Sequence, residues 1–85
     1  MRKIAIVEDD EKLCRELVTF LANNGYEAVG CQETEYQVQG ILSKEADLLL
    51  LDLGLPGTDG LYLCRELRKV SDLPVIVITS QDTQM

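Results

Sequence analysis

Acidic and hydroxyl side chains directly follow three short apolar runs in this sequence. They are Glu8 and Asp9 after the first run, Asp52 after the second, and Thr79 and Ser80 after the third. Carboxylates brought within a few ångströms repel one another unless a cation neutralises them. Ligands made only of oxygen favour a hard ion, and protein-bound Mg²⁺ keeps positions for water and phosphate oxygens. The residue types therefore predict a magnesium site that receives a phosphoryl group.

Each of these residues also has an ordinary structural interpretation. Glu8, Asp9 and Asp10 suit the start of a helix, where acidic side chains cap N–H groups and complement the helix dipole. Asp52 can simply end a strand, and Thr79 is a β-branched residue of the kind that strands contain. A site is favoured because three acids and a hydroxyl follow three separate apolar runs with no basic residue beside them.

The composition excludes several other kinds of chemistry. The 85 residues include 15 acids against 8 Lys and Arg, and this net charge of −7 disfavours nucleic-acid and anionic membrane surfaces. With no histidine, the chain supplies no Ser-His-Asp triad, Cys-His dyad or His zinc ligand. The apolar runs are far shorter than the ~20 residues that cross a bilayer. We expect a cytoplasmic protein without a membrane segment, in which three cysteines serve as small apolar residues.

Strand and helix patterns alternate along the chain. The predicted strands are Ile4–Val7, Tyr26–Gly30, Leu48–Leu51 and Val75–Ile78, and the predicted helices run from Asp10 to about Asn23, from Thr34 to about Glu45, and from Asp59 or Gly60 to Val70. This alternation is typical of βαβ units with a parallel sheet and helices on both faces. Tyr26–Gly30 has mixed polarity and is expected at an edge, whereas the other runs are unbroken and predict central strands.

Apolar residues at helical spacing predict which face of each helix is buried. They are Leu13, Leu17, Phe20 and Leu21 in the first helix, Val38, Ile41 and Leu42 in the second, and Leu63, Leu67 and Val70 in the third. Gly40 is expected to weaken the second helix by about 1 kcal/mol relative to alanine. Because the last strand looks central, we expect a fragment that stops before the next helix and that self-associates through the exposed edge of this strand. The alternative is a short protein that covers this edge by self-association.

Three segments resemble the receiver domain of bacterial two-component response regulators. They are Ile-Ala-Ile-Val-Glu-Asp-Asp (4–10), Leu-Leu-Leu-Leu-Asp-Leu-Gly-Leu-Pro-Gly-Thr-Asp-Gly (48–60) and Pro-Val-Ile-Val-Ile-Thr-Ser (74–80). The resemblance implies a doubly wound, flavodoxin-like α/β fold with a parallel sheet of strand order 2-1-3-4, the family's fifth strand–helix unit being absent. Residues 1–85 would then form a truncated receiver domain of about four of five βα units.

The same resemblance implies a role for each candidate residue. Asp52 would be the phosphoacceptor and Thr79 would bond a phosphoryl oxygen. Asp9 would bind Mg²⁺ directly, Glu8 would act through water, and the backbone carbonyl of Gly54 would be a further metal ligand. The implied function is a phosphorelay switch that is not an enzyme and takes its phosphoryl group from a sensor histidine kinase.

The loop 55–60 carries a further implication of the resemblance. It is similar to the loop of receivers attached to winged-helix DNA-binding domains, and Pro56 and Gly57 would shape it. The parent protein would then be a transcription regulator that binds DNA through a domain absent from this chain. The family's phosphoryl-pairing lysine lies on its fifth strand; Lys44 and Lys69 precede strands here and are expected at the opposite edge.

Three other functions remain open from the residues. An aspartate-nucleophile phosphohydrolase places a second acid two residues after the nucleophile, where this chain has Gly54. A dinucleotide-binding fold needs a glycine-rich turn after the first strand, where this chain has Glu-Asp-Asp-Glu. A receiver-like interaction module that is not competent for phosphorylation in this truncated form is the third alternative.

Overall fold

A four-stranded parallel sheet forms the centre of the computed structural model, which describes residues 2–78. Its strands are β1 (Lys3–Val7), β2 (Glu27–Gly30), β3 (Leu48–Asp52) and β4 (Val75–Ile78). They lie in the order β2-β1-β3-β4, and every neighbouring pair is parallel. The predicted α/β fold and its strand order are therefore confirmed. Thr79 and Ser80, which were predicted to follow β4, lie outside the described residues.

Aspartate caps define where two of the helices begin. The helices are α1 (Glu11–Asn23), α2 (Val38–Leu42) and α3 (Gly60–Arg68), with a 3₁₀ turn at Glu33–Glu35. The Asp10 side chain accepts a hydrogen bond of 3.1 Å from the N–H of Leu13. Asp59 Oδ1 accepts from the N–H groups of Leu61 at 3.0 Å and Tyr62 at 3.1 Å. Within residues 2–78, no helix has the length and apolar character that crossing a membrane requires.

The predicted helix from Thr34 to Glu45 is wrong in its extent, because the chain forms a 3₁₀ turn and the short α2 instead. Gln37 separates the two with extended backbone angles, and its side chain accepts a 3.1 Å hydrogen bond from the N–H of Gly40. A Cβ at Gly40 would lie 2.5 Å from the carbonyl oxygen of Glu35. Gly40 thus allows the turn to pack closely against α2.

The main core lies between one sheet face and the helices α2 and α3. Its buried members include Ala5, Val7, Leu49 and Leu51 from the strands and Ile41, Leu63 and Leu67 from the helices. Phe20 and Val70 were predicted to face inward and are instead 63% and 65% exposed. Val70 follows the end of α3. Phe20 lies about 90° around α1 from the middle of its half-buried face, which is formed by Leu13, Cys14, Leu17, Val18 and Leu21.

β4 is the outer strand of the described sheet, as the predicted order 2-1-3-4 requires, although its sequence is as apolar as that of the inner strands. Ile76 and Val77 are 50% and 46% exposed. The edge position predicted for β2 is confirmed. Self-association through β4 remains a prediction.

Candidate metal centre

Three carboxylates meet at the carboxyl edge of the sheet. β1 and β3 are neighbours in a register that pairs Val7 with Leu51, so the residues that follow these positions lie side by side. One carboxylate oxygen from each of Glu8, Asp9 and Asp52 can be chosen so that all three lie within 4.8 Å of one another. The structure thus brings together the three acids that the sequence singled out.

Asp52 is almost completely buried, with 1% of its surface exposed. Its Oδ1 accepts a 2.9 Å hydrogen bond from the N–H of Gly54. Its Oδ2 is also buried, and no residue in the range 2–78 donates to it. A buried carboxylate oxygen without a donor is costly, so the geometry favours a ligand at this atom.

Glu8 has a similar environment on the neighbouring strand, with 4% of its surface exposed. Its Oε2 accepts a 3.0 Å hydrogen bond from the N–H of Asp10, while Oε1 is buried and receives no donor from the described part of the chain. Burial raises the pKa of Glu8, and the negative charge of Asp52 raises it further, whereas the bond from Asp10 lowers it. The site therefore disfavours its own negative charge and would be stabilised by a cation.

The residues present fit a hard divalent cation such as Mg²⁺. The donor atoms are carboxylate oxygens, and the exposed Asp9 leaves the site open to solvent. The two lysines that precede strands form ion pairs with other acids. Lys44 Nζ lies 2.9 Å from a carboxylate oxygen of Glu35, and Lys69 Nζ lies 2.8 Å from one of Glu66.

The loop after β3 contains the remaining predicted residues. Gly54 contacts Asp52 through its N–H group, and the role of its carbonyl as a metal ligand remains a prediction. Gly57 has a φ of +72°, a left-handed conformation that glycine adopts without strain, and it follows the exposed Pro56 as expected for a turn. Leu55, only 5% exposed, anchors the loop in the core.

The cysteines match their predicted role only in part. Cys31 is buried, whereas Cys14 and Cys64 are half-buried, and all three are free thiols. Burial raises the pKa of Cys14, and it raises the pKa of Cys31 to about 11. Both side chains therefore stay protonated at neutral pH.

Tyr36 is a residue of this region that the sequence analysis did not single out. It is half-buried and lines a cavity of about 530 Å³ together with Glu8 and Asp9. Burial, with a contribution from the charge of Asp9, raises the pKa of Tyr36 to about 12. The signal that could have found it is positional: β2 ends beside β1, so the residues that follow Gly30 border the same sheet edge.

Comparisons with known proteins agree with this fold and this arrangement of acids. A family model described as the response regulator receiver domain matches residues 4–85. The transcriptional regulatory protein BaeR of Escherichia coli O6:H1 is 40% identical over 79 residues, which cover 93% of this chain and 33% of that protein. The chain thus spans about a third of the length of this curated relative.

Two solved structures show the same architecture. The BeF3-activated N-terminal receiver domain of Klebsiella pneumoniae RstA is 34% identical, with a TM-score of 0.84 over 96% of this chain and 70% of that one. The response regulator protein TrrA, solved in complex with the histidine kinase ThkA, is 28% identical. Its TM-score is 0.79, and the match covers 98% of this chain and 72% of that one.

Proposed function

Since the chain belongs to the response regulator receiver domain family, we propose that it accepts a phosphoryl group from a sensor histidine kinase onto Asp52. One observation carries the proposal. Asp52 is buried beside Glu8 and Asp9, with one oxygen held by the N–H of Gly54 and the other without a donor among residues 2–78. A carboxylate nucleophile oriented in this way needs only a phosphoryl donor and a positive charge that offsets the charge of the acids.

The transfer proposed for Asp52 is a single displacement at phosphorus. A carboxylate oxygen forms the new O–P bond while the P–N bond of a phosphohistidine breaks, and the imidazole nitrogen keeps the electron pair and takes up a proton. The chain has no histidine, so another molecule must supply the donor. TrrA, which this chain resembles, was solved in complex with a histidine kinase.

Mg²⁺ is the cofactor that we propose for this step. Glu8, Asp9 and Asp52 would hold it, together with the carbonyl of Gly54, and the bound ion supplies positive charge that stabilises the transferring phosphoryl group. The N–H of Gly54 orients Asp52 independently of the ion, since it already donates to Oδ1. Asp9, being exposed, would bind at the solvent side of the site.

Output switching is a further part of the proposal. Thr79 would donate a hydrogen bond to a phosphoryl oxygen and draw the segment after β4 towards the site, which is a two-state change driven by local charge. BaeR is named a transcriptional regulatory protein, and we propose that the parent of this chain also regulates transcription in the cytoplasm and binds DNA through another domain. Gly54, two residues after Asp52, offers no general acid, so we propose a switch rather than a turnover enzyme.

Phosphorylation of the full-length natural protein tests the assignment of Asp52. We expect acetyl phosphate with Mg²⁺ to add one phosphoryl group, detected by intact mass, and Asp52→Asn to abolish it. Asp59→Asn is the matched control because Asp59 only caps α3, and asparagine caps helices equally well. This control should be labelled like the wild type. Labelling that persists in Asp52→Asn would refute Asp52 as the phosphoacceptor. Labelling lost equally in both variants would show that the substitutions disturb the fold and not the acceptor alone.

A further inference from the structure

Tyr36 lines two cavities, one of which is also lined by two acids of the site. The first, of about 530 Å³, is also lined by Glu8 and Asp9. The second, of about 280 Å³, is also lined by Gly57 and Thr58 from the loop after β3. Among the described residues that line these two cavities, Tyr36 is the one that they share. The side chain therefore stands between the acids of β1 and the loop that follows the phosphoacceptor strand.

The position of Tyr36 is fixed by the fold. β2 lies next to β1, so the segment after β2 runs along the carboxyl edge of the sheet beside Asp9. The N–H of Tyr36 donates a 3.2 Å hydrogen bond to the carbonyl of Glu33, which ends the 3₁₀ turn. Its ring packs against the buried cluster that includes Val7 and Leu63. The ring is thus held in place by packing against the core, unlike a freely moving surface side chain.

We propose that the ring of Tyr36 limits the access of water to the phosphoryl group on Asp52 and so sets the lifetime of the aspartyl phosphate. This inference rests on the proposed function. In the step that it controls, a water oxygen attacks phosphorus and the bond between phosphorus and the Asp52 oxygen breaks. The carboxylate is restored, inorganic phosphate leaves, and the remaining proton of water passes to solvent. Removing the ring enlarges the cavity beside Glu8 and Asp9, whose carboxylate oxygens lie within 4.8 Å of one of Asp52, and so gives water more room at the site.

Loss of label from the full-length protein measures this lifetime. The protein is labelled with acetyl [³²P]phosphate and Mg²⁺, the donor is removed, and the remaining label is followed over time. We expect Tyr36→Ala to lose label several-fold faster than the wild type and Tyr36→Phe, which keeps the ring, to match the wild type. Phe20→Ala is the control, because it removes an aromatic ring that is 63% exposed on α1 and should leave the lifetime unchanged.

Mg²⁺ titration separates this role from general support of the fold. We expect Tyr36→Ala to bind Mg²⁺ as the wild type does, because the acids that hold the ion remain in place. Should this variant fail to fold, Tyr36→Leu keeps an apolar side chain in the core while it removes the outer ring, and it should show the same faster loss of label.

Each contrary outcome has one meaning. Equal lifetimes in the folded Tyr36→Ala or Tyr36→Leu variant and the wild type would overturn the inference. Equally shortened lifetimes in Tyr36→Phe and Tyr36→Ala would assign the effect to the hydroxyl group and would also overturn the inference. A loss of Mg²⁺ affinity in Tyr36→Ala large enough to explain its shorter lifetime would overturn it as well. Failure to label the wild type would instead refute the proposed function, whereas a labelled wild type with unaffected Tyr36 variants would refute only this inference.

Discussion

Glu8 and Asp52, on neighbouring strands, each bury one carboxylate oxygen to which no residue between 2 and 78 donates. The two residues are 4% and 1% exposed, and they belong to one group of carboxylates whose oxygens lie within 4.8 Å. Negative charges buried side by side raise the free energy of the folded state unless a proton or a cation offsets them. The described part of the site is therefore complementary to a positive charge.

Removing the charge of Glu8 should stabilise the protein when no divalent cation is present. We expect Glu8→Gln to raise the free energy of unfolding by on the order of 1 kcal/mol at neutral pH in EDTA, since the amide oxygen can still accept from the N–H of Asp10. Urea denaturation measures the difference. Glu16→Gln removes an exposed charge on α1 and should change stability by less than about 0.5 kcal/mol. A Glu8→Gln variant less stable than the wild type would contradict this account.

The pH dependence of stability follows from the raised pKa of Glu8. Burial and the charge of Asp52 raise this pKa above its ordinary value of 4.5, so the folded state holds the proton more tightly than the unfolded state. The resulting stabilisation is complete below the ordinary value and is lost as the pH rises through the raised pKa. In EDTA, we expect the stability of the wild type relative to Glu8→Gln to fall from pH 4.5 towards neutrality. Denaturation curves across this window measure it, and a difference that is flat or of opposite slope would exclude the assigned cause.

Mg²⁺ should reverse the destabilisation at neutral pH. A ligand that binds only the folded state adds about 2.7 kcal/mol at one hundred times its dissociation constant. We expect the wild type to gain thermal stability in Mg²⁺ and Asp52→Asn to gain much less, because that variant loses a central carboxylate of the group. Melting temperatures with and without Mg²⁺ provide the comparison. Equal gains in the two proteins would place the bound ion elsewhere.

Most of the fold could be predicted because its signals are local. The unbroken apolar run Leu48–Leu51 and the β-branched run Val75–Ile78 both form strands, and caps at Asp10 and Asp59 start helices where expected. The second helix was predicted too long because its length depends on a contact between Gly40 and the backbone of Glu35. Periodicity along one segment carries no information about such a contact.

The three carboxylates of the site could also be predicted from local signals. Glu8, Asp9 and Asp52 follow strands directly, and the carboxyl ends of parallel strands share one edge. Tyr36 escaped prediction because it lies in an irregular segment several residues after β2, where neither hydrophobic period nor motif marks it. The position of β2 beside β1 places that segment at the same sheet edge, but which of its side chains reaches Asp9 depends on its three-dimensional path.

Gly40 distinguishes local propensity from tertiary packing. Helix propensity alone predicts that Gly40→Ala stabilises α2 by about 1 kcal/mol. The structure predicts the opposite, because the new Cβ would lie 2.5 Å from the carbonyl oxygen of Glu35 and 2.8 Å from its carbonyl carbon. We expect a loss of about 1–3 kcal/mol, measured by urea denaturation. Gln39→Ala, at an exposed position of the same helix, should be neutral or stabilising, and a Gly40→Ala variant more stable than the wild type would show that the turn can move away.

Substitutions of two leucines in α3 test which face of that helix packs against the core. Leu67 is completely buried in the core beneath the sheet, whereas Leu61 is 57% exposed in the first turn of the same helix. We expect Leu67→Ala to lower the free energy of unfolding by about 2–5 kcal/mol, because the substitution leaves a cavity, and Leu61→Ala to lower it by less than about 1 kcal/mol. Chemical denaturation in saturating Mg²⁺ compares the two with the acidic site occupied. Similar losses in both variants would mean that α3 packs through a different face.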